Sequence, residues 1–393
     1  MQRSVVALLK ELVALPSVNP DHTDDPDVAN EYRVTDYLAR HFEAQGWQLK
    51  WDHVTPERAN LIASYGPDNP RHTLLLEAHT DTVGVTGMTV APFTPVEKEG
   101  RLYGRGSCDT KGPMAAALAA LTPETVEALA AAGVRILFVG AYGEEKGNIG
   151  AERLAEQGLG ADSALILEPT ELAIVHAHKG TLWLELTVWG RAGHGSDPEK
   201  GTNAIVAMAD IVRWLQEQIK RQQIAAAHPD LGRPTLNIGR IDGGVAVNIV
   251  AQRCCIEIDR RTVPGEDGEQ LVNDIRDRCE ALKESGALCD FDLRIIKAGI
   301  PFSTGKEAGL VNLMASALEK AGHPARLATA AWYSDAGAFS RTCREVVVFG
   351  PGSIQQAHTA DEYIDLDQLR AGQDVLSAFF AELARDQAAA GDG

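Results

Sequence analysis

The chain has 393 residues, 45% of them hydrophobic and 23% charged; this excludes a disordered or collagen-like polymer, and the length exceeds the roughly 250 to 300 residues at which single cores stop growing, so two domains are expected. A formal net charge of -18 excludes nucleic acid as the natural partner, because phosphate binding requires clustered cations. No window reaches the roughly 20 apolar residues of a membrane span, and residues 1–10 lack a basic region followed by an apolar core, so a cytoplasmic protein with no membrane partner is expected.

Apolar residues at Val5, Leu8, Leu9, Leu12 and Val13 form a helical stripe over 4–15, stopped by Pro16. A second helix is expected over 28–45, with Val34, Tyr37, Leu38 and Phe42 on one face and Gly46 at its end. Strand-like runs follow at 48–54, 60–65 and 73–77, the last running into Ala78, His79, Thr80 and Asp81. The alanine-rich 113–121 reads as a helix, 134–140 as a buried strand, 151–157 as a helix and 163–167 as a strand. Alternation of this kind predicts an α/β fold, a mostly parallel sheet with helices on both faces.

From 181 to 189 the style changes. Leu182, Leu184, Leu186 and Val188 alternate with Trp183, Glu185, Thr187 and Trp189, which suits a sheet with one covered and one open face. A helix over 203–223, strands at 235–240 and 253–261 and a helix over 269–284 complete an α+β sandwich of about a hundred residues. The α/β style then resumes with a helix over 307–321, a strand at 346–349 and a helix over 366–384, and the tail 388–393 is expected to be disordered. The predicted organisation is one α/β domain in two parts, 1–179 and 294–393, with an inserted domain at 180–293. The cysteines, Cys108, Cys254, Cys255, Cys279, Cys289 and Cys343, form no C-x-x-C pair and read as free thiols.

Chemistry-bearing residues gather at the strand ends. His79 closes a buried strand with Asp81 two residues on, a spacing in which the carboxylate can hold the ring's other N–H; alone, it also fits a local turn. Asp109 sits in the glycine-flanked run 104–112, where the Walker spacing of a phosphate loop is absent. Glu144 and Glu145 follow the strand at 134–140; such a pair is usually a solvated turn, but beside a metal one can bind while the other takes a proton. Glu168 ends an apolar strand, a costly position unless paired or bound to a cation. His358 follows the strand at 346–349. Two histidines and three carboxylates so placed form the ligand set of a two-zinc or two-cobalt hydrolytic site, one carboxylate bridging, since paired metals sit about 3.5 to 4 Å apart.

Over nearly its whole length the sequence resembles the M20 metallopeptidase and deacylase family. The resemblance rests on His79-Thr80-Asp81-Thr82-Val83, 104–112, Gly143-Glu144-Glu145, Leu167-Glu168-Pro169-Thr170, Gly193-His194-Gly195-Ser196 and 350–363. It implies that His79, Asp109 and Glu168 hold one divalent metal and Asp109, Glu145 and His358 the other, zinc first and cobalt as the alternative. It further implies that Glu144 is the general base and Asp81 an orienting carboxylate.

For the insert the resemblance implies a dimerisation and lid domain in a homodimer, with His194 stabilising the oxyanion in the partner subunit's site; read from its glycine neighbours alone, His194 is a surface turn. Asn248 and Arg261 are the implied contacts to a substrate carboxylate, a role that suits an arginine's planar fork. Arg261 is favoured over Arg260, which reads as a solvated edge residue, and Gly337 is expected to line the pocket. The implied activity removes a short acyl group, acetyl first, from the α-amino group of an amino acid such as ornithine. Desuccinylation or dipeptide cleavage is the alternative within the family. A non-catalytic binding homologue is the alternative of another class, against which the full set of five ligands and Glu144 speaks.

Overall fold

The computed structural model describes residues 3–225 and 227–391. The chain forms two compact units, one of Met1–His176, Ser303–Ala328 and Ser334–Gly393, the other of Ala177–Phe302 and Thr329–Tyr333. The chain begins with helices α1 (Val5–Val13) and α2 (Tyr32–Glu43), followed by strands β1 (Gln48–Thr55), β2 (Arg58–Tyr65) and β3 (His72–His79). A hairpin of β4 (Val96–Lys98) and β5 (Arg101–Tyr103) leads to α3 (Lys111–Ala120), α4 (Pro123–Ala131), β6 (Val134–Ala141), α5 (Ile149–Glu156), β7 (Ser163–Ile166) and β8 (Ile174–His178). The second unit holds β9 (Gly180–Trp189), α6 (Ala204–Ala225), β10 (Thr235–Gly243), β11 (Arg253–Thr262), α7 (Gly268–Glu284) and β12 (Asp290–Gly299). After β13 (Phe302–Ser303) come α8 (Gly309–Lys320), β14 (Leu327–Ala330), α9 (Ala336–Phe339), β15 (Glu345–Val348), β16 (Tyr363–Asp365) and α10 (Leu366–Gly391).

The main sheet of the first unit runs β1-β2-β6-β3-β7-β15-β8. Its centre is parallel, β3 pairing with β6 and β7, and β15 with β7, whereas β1, β2 and β8 join antiparallel at the flanks. The parallel centre follows from the crossover helices between its strands, and its strands are continuous apolar runs because both faces are covered. Leu74, Leu75 and Leu76 are fully buried. Helices α1, α3, α8 and α10 share one core with the sheet. The alanines of α3 let it lie inside this layer buried along its whole length. Among the described residues no single helix is long and apolar enough to cross a membrane.

Two local expectations change. Helix α4 is additional; Thr122 caps it by accepting the Thr125 N–H, with Pro123 in its first turn, an N-terminal signal legible in Thr122-Pro123-Glu124. The tail is helical through Gly391 instead of disordered from 388, because Phe379, Phe380 and Leu383 anchor α10 in the core and Ala388, Ala389 and Ala390 extend it at little cost. Residues 392–393 lie outside the described residues.

The second unit is an antiparallel sheet, β10-β11-β9-β12, with α6 and α7 packed on the face that carries Leu182, Leu184, Leu186 and Val188. Residue 293 falls inside β12, which pairs with β9 as far as Gly299, so this unit reaches Phe302.

Candidate metal centre

The parallel register places three strand ends side by side. His79 pairs across from Ala141 of β6, so the turn leaving β6 carries Glu144 and Glu145 past it, and Glu77 pairs with Ile166 of β7, which brings Glu168 alongside. This is the edge at which open α/β sheets place their sites. Asp109 lies in the segment leaving, and His358 in the segment entering, a second, three-stranded sheet, β16-β5-β4. There Tyr363 pairs antiparallel with Tyr103, so the residues entering β16 run beside those leaving β5.

The side chains converge. Asp109 presents Oδ1 to His79 Nε2 at 3.0 Å and Oδ2 to His358 Nε2 at 3.4 Å. His358 Nε2 also lies 3.0 Å from Glu145 Oε2, and Glu168 Oε1 stands 4.0 Å from His79 Nε2. Donor atoms of His79, Asp109 and Glu145 all lie within 4.8 Å of one another. The second oxygen of Glu145, Oε1, is buried with no hydrogen-bond partner. A carboxylate offering one oxygen to each of two imidazoles, beside a buried unpartnered carboxylate oxygen, is a donor set that fits two divalent cations.

The charges agree with that fit. Hydrogen bonds to Asp109 and Glu145 push His358 up to about 10. Burial opposes a charge on His79, yet its bonds to Asp109 and Asp81 hold it well above the usual imidazole range. Burial would raise Asp109, but the two histidines hold it below the usual carboxylate range. Glu145 is pushed up to about 8 by burial and by the Asp109 charge, and Glu168 rises for the same two reasons. Bound cations reverse this pattern, keeping the carboxylates ionised and the imidazoles neutral.

Residues 75–382 match the peptidase family M20/M25/M40. The chain belongs to the M20 family. It is a metal-dependent hydrolase. Among its relatives are the acetylornithine deacetylases of Myxococcus xanthus, 32% identical over 387 residues and covering 94% of this chain and 95% of that one, and of Proteus mirabilis, 32% identical over 384 residues and covering 92% of each. In fold it is similar to a tripeptidase from Staphylococcus aureus, with a TM-score of 0.77 at 22% identity over 98% of this chain and 99% of that one. It is also similar to a dinuclear metal-binding peptidase of the M20 family from Bacillus subtilis, with a TM-score of 0.66 at 16% identity over 97% and 96%.

Further buried groups of this M20 enzyme hold the site's loops. His79 Nδ1 lies 3.0 Å from the backbone oxygen of Asp81 and 3.5 Å from its Oδ1. The Asp81 carboxylate accepts the Glu144 and Glu145 backbone N–H groups, each at 3.1 Å, and Asn19 Nδ2 at 2.8 Å. Asn148 Nδ2 donates to Glu144 Oε1 at 2.8 Å and to Asp335 Oδ1 at 2.9 Å. Gly143 starts this turn at φ 73°, where a Cβ would meet Ile149 Cγ1 at 2.5 Å, and its N–H donates to Glu31 Oε2. Glu362 accepts from Arg105 Nη1 and from the backbone N–H groups of Gly106, Cys108 and Asp109. Sequence reasoning missed Asn19, Asn148, Asp335 and Glu362 as members of this network. Only Glu362 stands in a stretch singled out from the sequence, 350–363, and there it is one polar residue among several; Asp335 stands two residues from Gly337. Gly337 is buried in α9, two residues after Asp335.

The remaining predicted residues lie in the second unit. His194 is exposed, and its loop pairs with that of Asn248: His194 bridges to Ile249, and the Gly195 N–H donates to the Asn248 carbonyl at 2.8 Å. His194 Nδ1 accepts the Ser196 N–H at 3.2 Å, which assigns the ring proton of the neutral imidazole to Nε2. Arg261 pairs with Asp259 at 3.0 Å. Arg260 is not the solvated edge residue expected from sequence. It is 2% exposed, on an interior strand, and bonded to Glu266 and Gln222. Its aliphatic stem continues the buried face of β11 begun by Cys254, Ile256 and Ile258.

Proposed function

We propose that this enzyme removes a short acyl group, acetyl, from an N-acyl amino acid, N-acetylornithine first, and works as a homodimer. The observation that carries the substrate is the 32% identity to acetylornithine deacetylases along nearly the full length of both chains. Two ions are held as the geometry of Asp109 suits: His79, Asp109 and Glu168 about one, Asp109, Glu145 and His358 about the other. Zinc is the first choice by ligand type and cobalt the second. Such ions supply Lewis acidity, polarising the amide carbonyl and lowering the pKa of water.

The chain's own residues do the rest. Glu144, oriented by Asn148, takes the proton of the attacking water on its carboxylate and passes it to the leaving amine. Asp81 fixes the turn that presents both glutamates. His194, whose proton sits on Nε2, donates to the developing oxyanion of the partner subunit's site, so the inserted unit serves as dimerisation and lid domain. Asn248 and Arg261 bind the substrate carboxylate, Arg261 by exchanging Asp259 for substrate, and Gly337 lines the pocket.

The test is a panel of N-acetylornithine, N-succinyl-diaminopimelate and unblocked di- and tripeptides offered to the zinc- or cobalt-loaded enzyme. N-acetylornithine should have the highest kcat/KM by about tenfold or more, the discrimination of one or two pocket contacts. A preference for the succinylated substrate or for peptides overturns the assignment of the acyl group.

A further inference from the structure

We propose that Glu362 is a positioning residue for the metal pair, holding the loop of Asp109 so that one carboxylate reaches both ions. The proposal rests on the two-metal reading above.

The geometry begins with the small sheet. Because Tyr363 pairs with Tyr103, the chain entering β16 and the chain leaving β5 run alongside each other, and the Gly104 N–H donates to the Glu362 carbonyl at 3.1 Å. The Glu362 side chain then turns under the loop 105–109 and is fully buried. Its Oε2 accepts from Arg105 Nη1 at 2.7 Å and the Gly106 N–H at 2.9 Å; its Oε1 accepts the Cys108 N–H at 2.9 Å and the Asp109 N–H at 3.1 Å. Four donors thus meet four lone-pair directions of one carboxylate. Asp361 and Asp365, its acidic neighbours in sequence, are exposed.

The location gives the bonds their consequence. His358 lies four residues before Glu362 in the same segment and stands 3.4 Å from Asp109 Oδ2. Glu362 therefore clasps the loop of the bridging carboxylate to the segment of a terminal histidine. Paired ions about 3.5 to 4 Å apart demand a bridge placed to within about 0.5 Å, and a loop released from its amide anchors does not keep that tolerance. Glutamine, although of the same shape, cannot replace Glu362. Its single oxygen serves one side of the carboxylate's contacts, and its NH2 group faces the two donors on the other.

The experiment compares the full-length wild type with Glu362→Gln, Glu362→Asp and, as a control, Leu129→Ala, a core truncation in α4 outside the site's machinery. Zinc affinity is read by competition with a chromophoric chelator, stoichiometry by elemental analysis, geometry from the visible spectrum of the cobalt-loaded protein, and folding by circular dichroism. At a free zinc concentration that fills two sites in the wild type, Glu362→Gln should hold fewer than two ions, with affinity lowered about 10- to 100-fold and an altered cobalt spectrum. Glu362→Asp, charged but too short to span all four donors, should show the same changes to a smaller degree. Leu129→Ala should lose Tm yet keep two ions and the wild-type spectrum. Wild-type affinity and spectrum in both Glu362 variants overturn the proposal whatever their Tm, and loss of fold in both overturns a role confined to the site. A wild-type chain that binds fewer than two ions removes the two-metal reading, and this proposal with it.

Discussion

Asp81→Asn is the perturbation whose outcome the structure defines most closely. Burial would raise the Asp81 pKa, but its bonds to His79 and Asn19 hold it below the usual carboxylate value, so it is ionised near neutrality. Its Oδ1 accepts the Glu144 N–H, and its Oδ2 accepts the Glu145 N–H and Asn19 Nδ2. With its oxygen in the Oδ2 place, an asparagine keeps two of these bonds and turns its NH2 against the Glu144 N–H. One buried donor then loses its acceptor, at about 1 to 3 kcal/mol, and two charge-assisted bonds become neutral ones, so the total is about 2 to 4 kcal/mol. For a unit of this size that corresponds to a Tm lower by about 5 to 10 °C. The loosened turn carries both glutamates, so kcat/KM should fall about 10- to 100-fold. Thermal unfolding of the metal-free protein in chelator reads the hydrogen bonds without metal stabilisation, and the loaded enzyme reads the rate. A variant within about 1 °C and twofold of wild type would show that Asp81 does not organise the turn.

The other predictions follow from the same geometry. Asp109→Ala should bind fewer than two metals at any pH by elemental analysis, because it removes a carboxylate that faces both histidines; full occupancy would take Asp109 out of the site. Metal binding at pH 7 should release at least about one proton per chain, since His358 lies at about 10 and Glu145 at about 8 in the protein's own field and both must deprotonate to bind. Apparent metal affinity should accordingly rise with pH through this range, and calorimetry in buffers of differing ionisation heat that shows no release would contradict these protonation states. His194→Ala should keep its metals and lose about 10²- to 10³-fold in turnover. Mixed with Glu144→Gln, it should recover about a quarter of wild-type activity, because about half of randomly paired dimers are mixed and each carries one intact site; no recovery after proven subunit exchange would place His194 within its own chain's chemistry or outside it altogether.

The parts legible in the sequence were those written as local patterns. Long periodic elements such as α1, β3 and β9 declare themselves by their apolar spacing, and a parallel sheet's ends are where polar residues stand after apolar runs. That is why His79, Glu145 and Glu168 could be picked out together, whereas Asp109 and His358 stood out as polar residues in glycine-bearing loops. The supporting network was not legible, because hydrogen-bond partners distant in sequence leave no spacing signal. Asn19 reaches Asp81 across 62 residues and Glu362 reaches Gly106 across 256. Strands β4, β5 and β16, three residues each, are too short to show a period, so the sheet whose flanking segments hold Asp109 and His358 was hidden. Arg260 misleads because a charged residue on an alternating strand reads as solvent-facing unless its buried partners, Glu266 and Gln222, are known.

The central claim is that two ions and Glu144 divide the work at this site, the ions held by their five ligands and the proton carried by the glutamate. Its most direct test is to load wild type and Glu144→Gln with zinc, count the ions per chain, and measure turnover of N-acetylornithine on the same samples. Two ions in both proteins, with turnover of the variant lower by at least about 10²-fold, is the result the account predicts. Fewer than two ions in the wild type, or a Glu144→Gln enzyme that loses its metals or keeps its full rate, would contradict it.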